Sequence, residues 1–487
     1  MNFLLRNLIL VHLLLVVWFL TWVHGGTRVD HLSAVPWLLV LLLNAMLMLP
    51  HGRPHETLPE ARRRVWRRVW HDPVLWLGAA LTALLVVQWG NSPSAGLAVS
   101  ADAHAARLAL SSWIPFSMDA TESRQQLYWF PPVLLALLAA RHGISRQGRR
   151  QLLSCLIWGG ALLAVFGWVQ EGSGTRALYG MTPLPAHFFA TFGYENHAGE
   201  FFTLLFTVSG GLWFQAVMDK EATRGSWRLL WPVILNLAGV FGSRSRGAML
   251  LSILILAVGG LACILAAWGR VRISTRIKGV TFALLLVLLS AGVYRSLPAL
   301  PACAELATVR PATIYFDAIG GRLFQYRSAW AMTCDYPVFG VGGWGYRHLV
   351  QDYVTPDEWT QMLQGKGMAN VHNDALQFLA EHGVVGLGLM LGVLYVLLRP
   401  ILQGTWRMLR TVPVVDWDNP YVPMLLRVPA PVYAILAGTA ATVIHSMIDL
   451  PFRAPAVLMT WALCLACAPA FLPREALAPV TGSVTRS

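Results

Sequence analysis

Charge is scarce in this sequence. Only 13% of the 487 residues are Asp, Glu, Lys or Arg, against about 25% in an average soluble domain, which excludes an ordinary soluble enzyme. Cysteine is sparse too, with six residues. Cys155, Cys263, Cys464 and Cys467 lie in apolar stretches, where a thiol packs as a small hydrophobe. The Cys464-x-x-Cys467 pair has neither a βαβ nor a zinc-like context, so we read it as packing. Cys303 and Cys334 share one long connection, and an oxidising compartment would allow them to bridge. Internal repeats and low-complexity runs are missing. The first apolar run lacks an A-x-A-like cleavage site and carries Trp18 and Trp22 near its end, so it reads as a helix with interfacial anchors, not a leader.

What the chain has in abundance is apolar residue, 56% of the total. Crossing a ~30 Å hydrocarbon core takes ~17–25 residues. Runs of about that length, a few shorter or interrupted by Pro131 and Pro132, occur at 3–23, 33–50, 73–90, 128–140, 152–169, 199–217, 229–242, 247–268, 279–294, 375–398, 430–448 and 454–473. The pattern predicts an all-α polytopic membrane protein of about twelve transmembrane helices. It forms a single domain over 1–487, with a long loop at 295–373 between helices nine and ten.

The net charge of +13 invites a nucleic-acid reading, which its distribution removes. With the N-terminus inside and alternating loops, the inside holds 24 of the 37 Lys and Arg against 8 acidic residues. The outside holds 13 against 16. That is the positive-inside pattern, with a contribution from anionic lipid. The sorting leaves no Lys or Arg at mid-membrane, which argues against an ion-coupled carrier.

Four features share the predicted outer face. His372-Asn373 is followed by nine residues and Gly383-x-x-Gly386. Ser245-Arg246-Gly247, preceded by Arg244, forms a tight turn between two helices. Arg322 and Tyr326 stand ahead of Pro337-x-x-Gly340-x-Gly342. Asn196, after Glu195, opens a mid-chain helix. In order and spacing this set resembles the O-antigen ligase and O-antigen polymerase superfamily of bacterial envelope glycosyltransferases, over about 190–400. Tyr326 stands where the family more often has Trp.

The resemblance implies a GT-C-like membrane glycosyltransferase of the bacterial inner membrane, with both termini cytoplasmic and the long loop periplasmic. Its donor is a glycan on undecaprenyl diphosphate, and its acceptor is lipid A-core or a growing glycan. The residues fit that chemistry on their own terms. Arginine's planar fork suits phosphate oxygens, so Arg246 and Arg322 are candidate clamps on the leaving diphosphate. His372 is the candidate general base. Histidine ordinarily titrates near pH ~6.5, and arginines close by disfavour its charged form. Asn373, Asn196, Arg244 and Tyr326 are candidate substrate-binding residues. Direct attack inverts the anomeric centre. No cofactor or metal is expected: the two arginines supply the electrostatics, and Asp416-x-Asp418 falls on the inner side.

Structural readings compete at each position. His372 also fits a helix cap, and Arg246 and Arg244 fit headgroup anchors. Arg322 fits a strut to Asp317 or Asp335, and Asn196 with Glu195 fits a helix cap. His445, Asp449 and Arg453 line an acceptor groove or form a structural ion-pair cluster. His382 reads as packing, and Arg327 and Trp344 have no assigned role. At the level of function an O-antigen ligase leads, a polysaccharide polymerase is the alternative, and a lipid-linked glycan flippase is the rival from another class.

Overall fold

The computed structural model describes residues 7–27, 34–35, 38, 56–92, 114–183, 188–218, 226–269, 322–360, 370–410 and 427–477. Ten of the apolar runs fall on helices there; 33–50 lies largely, and 279–294 wholly, outside the described residues. The helices used below are α1 (Leu8–Trp22), α2 (Leu58–Trp70), α3 (Pro73–Gly90), α4 (Ala120–Gln126), α5 (Phe130–Leu138), α6 (Arg146–Gly172), α7 (Glu195–Met218), α8 (Ser226–Ser243), α9 (Arg246–Gly269), α10 (Leu323–Asp335), α11 (Asp374–Arg410), α12 (Ala430–Ser446) and α13 (Pro455–Cys467). Strand is confined, among the described residues, to a hairpin of Ala177–Leu178 with Thr182–Pro183 and one isolated bridge. Among the described residues, four helices are long and apolar enough to cross a bilayer, namely α3, α6, α7 and α11. This is an all-α membrane protein.

Local sequence explains where the helices start. Asp72 accepts from the Val74 amide at 3.0 Å and precedes Pro73, the N-cap and N1 pairing that opens α3. Ser145 accepts from Gly148 at 2.9 Å and opens α6. Thr57 and Glu60 form a capping box at α2.

The bundle closes around α13, in which every residue from Pro455 to Cys467 is buried. A helix apolar on all sides is stable only when surrounded, and α1, α5, α6, α7, α11 and α12 all pack on it. The polar exceptions in the core are informative. Glu200, in the second turn of α7, and Glu381, in the third turn of α11, are both fully buried. A search for intramembrane charge among Lys and Arg passes over these carboxylates.

A second, smaller apolar cluster caps one end of the bundle. Phe116, Ala329, Met332, Val341, Tyr346, Leu349, Val350, Val371 and Ala380 pack there, joining the 322–360 segment to the start of α11. Within the long loop, Leu323–Asp335 forms α10 and 356–360 is helical.

Candidate functional site

At that capped end, α11 is broken. Gly383 has φ +63° and ψ −170°, so the 379 and 380 turns do not continue regularly into 384. The released backbone is taken up by the Pro337–Gly342 loop. Val384 N donates to Pro337 O at 2.8 Å and Val385 N to Val338 O at 3.2 Å, while Val341 N donates to Ala380 O at 3.1 Å and Gly342 N to Glu381 O at 2.8 Å. A Cβ at Gly383 would stand 2.2 Å from Val338 O, and one at Gly340 (φ +67°) 2.4 Å from the Glu381 carbonyl carbon. The two glycine motifs are therefore the two halves of one joint.

Just before α11 the chain turns through His372, whose φ is +54°. A non-glycine residue in that region is strained by about 1 kcal/mol or more and is held there by its surroundings. Asn373 follows as the N-cap: its Oδ1 accepts from Leu376 N at 3.0 Å. Tyr326, on α10, donates to His372 O at 3.3 Å and approaches Met447 O at 3.4 Å, pinning the histidine's backbone against the turn after α12.

That turn carries Asp449, which is buried. Its carboxylate accepts from Tyr194 Oη at 2.9 Å and from Asn196 Nδ2 at 2.5 Å. Arg322 Nη2 stands 3.6 Å from Oδ2, and His372 Nδ1 stands 3.6 Å from Oδ1. The last contact is ionic in range and too long for a formed hydrogen bond; Nδ1 is buried and has no hydrogen-bond partner among the described residues. Arg322 also donates to Ile448 O. Burial pushes the Asp449 carboxyl up, but the neighbouring His372, Arg322 and His445 outweigh it and hold the group well below the usual carboxylate range. The same burial, with Asp449 alongside, pushes the Tyr194 phenol up and keeps it a donor.

Asn196 continues the chain of bonds, accepting at Oδ1 from Ser245 Oγ at 2.6 Å. Ser245 sits just ahead of α9, whose first residue is the exposed Arg246. Gly247 passes close to His445: an added Cβ would lie 3.0 Å from its Nε2. Below it, His445 Nδ1 meets Glu200 Oε2 at 2.8 Å and Thr442 donates to Glu200 Oε1 at 2.6 Å.

The structure thus gathers His372, Arg322, Tyr326 and Asn196 around Asp449, with Ser245 bonded to Asn196 and Arg246 next in sequence. Arg244 is turned elsewhere. It has φ +61° and its exposed guanidinium bonds Glu171. Asn373 uses its side-chain oxygen on its own helix. Asp335 accepts from Tyr353 at 2.7 Å, whereas Arg322 is paired with Asp449; Arg327 pairs with Glu358 at 2.9 Å. His382 bonds Gln88 at 2.8 Å inside the packing. Cys303, Asp317, Asp416 and Asp418 lie outside the described residues.

Asp449 is the residue that motif reading left without a firm role. A second one is Arg453, whose Nη2 meets Glu381 Oε2 at 2.8 Å and whose Nε lies 3.7 Å from Asp374 Oδ1. Its guanidinium also lies 4.3 Å from the Trp344 ring centroid. The signal available in sequence was three ionic residues, His445, Asp449 and Arg453, packed between two apolar runs, where a charge is costly unless partnered.

Residues 231–391 match the family model described as O-antigen ligase. This match supports the O-antigen ligase and polymerase superfamily, the family that the motifs resemble. The O-antigen ligase match takes in Ser245-Arg246-Gly247, Arg322, Tyr326, the Pro337–Gly342 loop, His372 and the Gly383 break. It stops before Asp449 and begins after Asn196. A search of the curated proteins found no match.

Proposed function

We propose that the protein is an O-antigen ligase. It transfers a polysaccharide from undecaprenyl diphosphate to a lipid A-core acceptor on the periplasmic face of the bacterial inner membrane. The observation that carries this reading is the His372–Asp449–Arg322 grouping inside and beside the O-antigen ligase match.

In the proposed reaction Asp449 faces His372 Nδ1 and favours the tautomer with the proton there. This leaves Nε2 to take the proton from the acceptor hydroxyl. The acceptor oxygen then attacks the anomeric carbon as the carbon–oxygen bond to the diphosphate breaks. The diphosphate departs with the bonding electron pair, and the configuration inverts. Arg246, and Arg322 from its place beside Asp449, meet the charge that develops on the leaving group, where stabilisation accelerates the reaction. Asn196 and Tyr194 hold the Asp449 carboxylate. Tyr326 holds the His372 backbone, and Asn373 fixes where α11 starts. Arg244, bonded to Glu171, would meet the donor's glycan chain. The electrostatics are supplied by arginine, which makes the proposed transfer metal-independent.

The test is a lipopolysaccharide gel from a deletion strain with lipid-linked glycans extracted in parallel. Core-only lipopolysaccharide with carrier-linked polymer accumulating is the expected result. Core bearing one repeat unit would replace ligase with polymerase. Complementation with His372→Ala is expected to lose about 10²–10⁴-fold in transfer while binding of the carrier-linked donor persists; undiminished transfer would remove His372 as the base.

A further inference from the structure

We propose that α2 and the first turn of α3 form a docking site for the headgroups of anionic phospholipid, at the end of the bundle away from Asp449. The two ends are told apart by α3. Its Gln88 donates to Phe339 O at 2.7 Å beside the α11 break, whereas its N-cap, Asp72, lies next to α2.

Helix α2 has two faces of different chemistry. Ala61, Val65 and Val69, spaced four residues apart, are buried and pack toward the turn that follows α5. On the opposite face Trp66 and Arg67 each lie three or four residues from both Arg63 and Trp70, which places the four in a single outward stripe. All four are exposed, the indoles by 48% and 49%. The stripe runs on into α3. The Trp66 and Trp70 rings are 5.9 Å apart, and Trp70 meets Trp76 edge-on at 4.7 Å. Trp76 donates from Nε1 to Trp70 O at 2.9 Å and is itself half exposed.

Three tandem indoles on an outer surface are disfavoured in bulk water, and the headgroup layer is where such rings settle. The occupant is identified by what accompanies them. Of the acidic groups nearby, Glu56 is paired with Arg64 at 2.6 Å, and Glu60 accepts from Thr57 at 2.8 Å while standing near enough to Arg63 to feel its charge. Among the described residues no carboxylate forms an ion pair with Arg63 or Arg67, so the stripe presents cation and indole, which suits a phosphodiester with its acyl chains alongside. Continuity with α3, a membrane-spanning helix whose Trp76, Val86 and Val87 face outward, favours lipid over nucleic acid or a protein partner.

The experiment uses the full chain in nanodiscs of phosphatidylcholine. They are doped with a trace of phosphatidylglycerol or of phosphatidylcholine bearing a diazirine near the glycerol backbone, and the adducts are mapped by mass spectrometry. Phosphatidylglycerol is expected to label residues 58–76 several-fold more than its neutral counterpart. Arg63→Gln with Arg67→Gln should remove most of that excess, bringing the two lipids to within about twofold of each other. Arg63→Lys with Arg67→Lys should retain it, which separates loss of charge from loss of fold. Equal labelling by both lipids would overturn the proposal. So would an excess that survives the glutamine pair, or anionic-lipid adducts that fall outside 58–76.

Discussion

Asp449 accepts from two donors on one side, Tyr194 and Asn196, and faces two cationic or basic groups on the other, Arg322 and His372. A neutral amide there keeps the size and loses the charge that orients the imidazole. Asp449→Asn is expected to lower glycan transfer by about 10²-fold or more, with thermal unfolding shifted far less; transfer within a few-fold of wild type would remove Asp449 from the mechanism. The residues on either side of it show what a sequence can and cannot convey. His372, Arg322, Tyr326 and Asn196 stand in short motifs whose spacing marks them. Asp449 belongs to no motif, and its partners come from three other stretches of chain, at 194–196, 322 and 372. Nothing local announces that they converge. Asn373 illustrates the converse: its place beside His372 suggests a ligand contact, whereas its oxygen serves as the N-cap of α11, a position for which Asn is among the preferred residues.

Among the elements, α11 depends most on its neighbours. Gly383→Ala would force a Cβ to within 2.2 Å of Val338 O at φ +63°, and we expect it to cost about 3 kcal/mol or more of stability, read as a lowered midpoint of thermal unfolding. Gly340, Gly342, Gly383 and Gly386 were legible in the sequence as motif positions. That the two clusters meet each other was not, because pairing of distant loops leaves no periodic trace. The other end of the bundle offers a pH test. Asp72 is buried and bonds His142 Nε2 at 2.5 Å and Arg141 Nε at 2.7 Å. Burial pushes its carboxyl up, and these partners with the Val74 amide pull it down to about 2. Because the folded value lies below the unfolded one, its stabilisation is complete above pH ~4 and disappears as pH falls through about 2. Asp72→Asn should therefore destabilise by about 2 kcal/mol near neutrality and by little near pH 2, measured by unfolding across that range.

For the molecule as a whole, the apolar runs carried the architecture: ten of them are helices, and α13 is the post around which the rest pack. Hydrogen exchange in α13 is expected to be the slowest in the protein, since its amides open only with the bundle; faster exchange there than in α3 would contradict a central role. Sequence reading gave the helices without their neighbours, since every run is similarly apolar and burial is decided by contacts across the bundle. The long loop is likewise legible by its length and its motifs, while the apolar cluster that seats it draws on Phe116, from a stretch with no motif. The break in α11 has one further consequence, for distance. Between His372 and Gly383 lie nine helical residues, Asp374 to His382, a rise of roughly 14 Å. Those residues act as a ruler, with its zero at the joint and its tip at the imidazole. Lengthening the ruler by one residue would swing the tip by about 100° and carry His372 off Asp449, so the interval sets both how far the reacting group stands from the joint and which way it points.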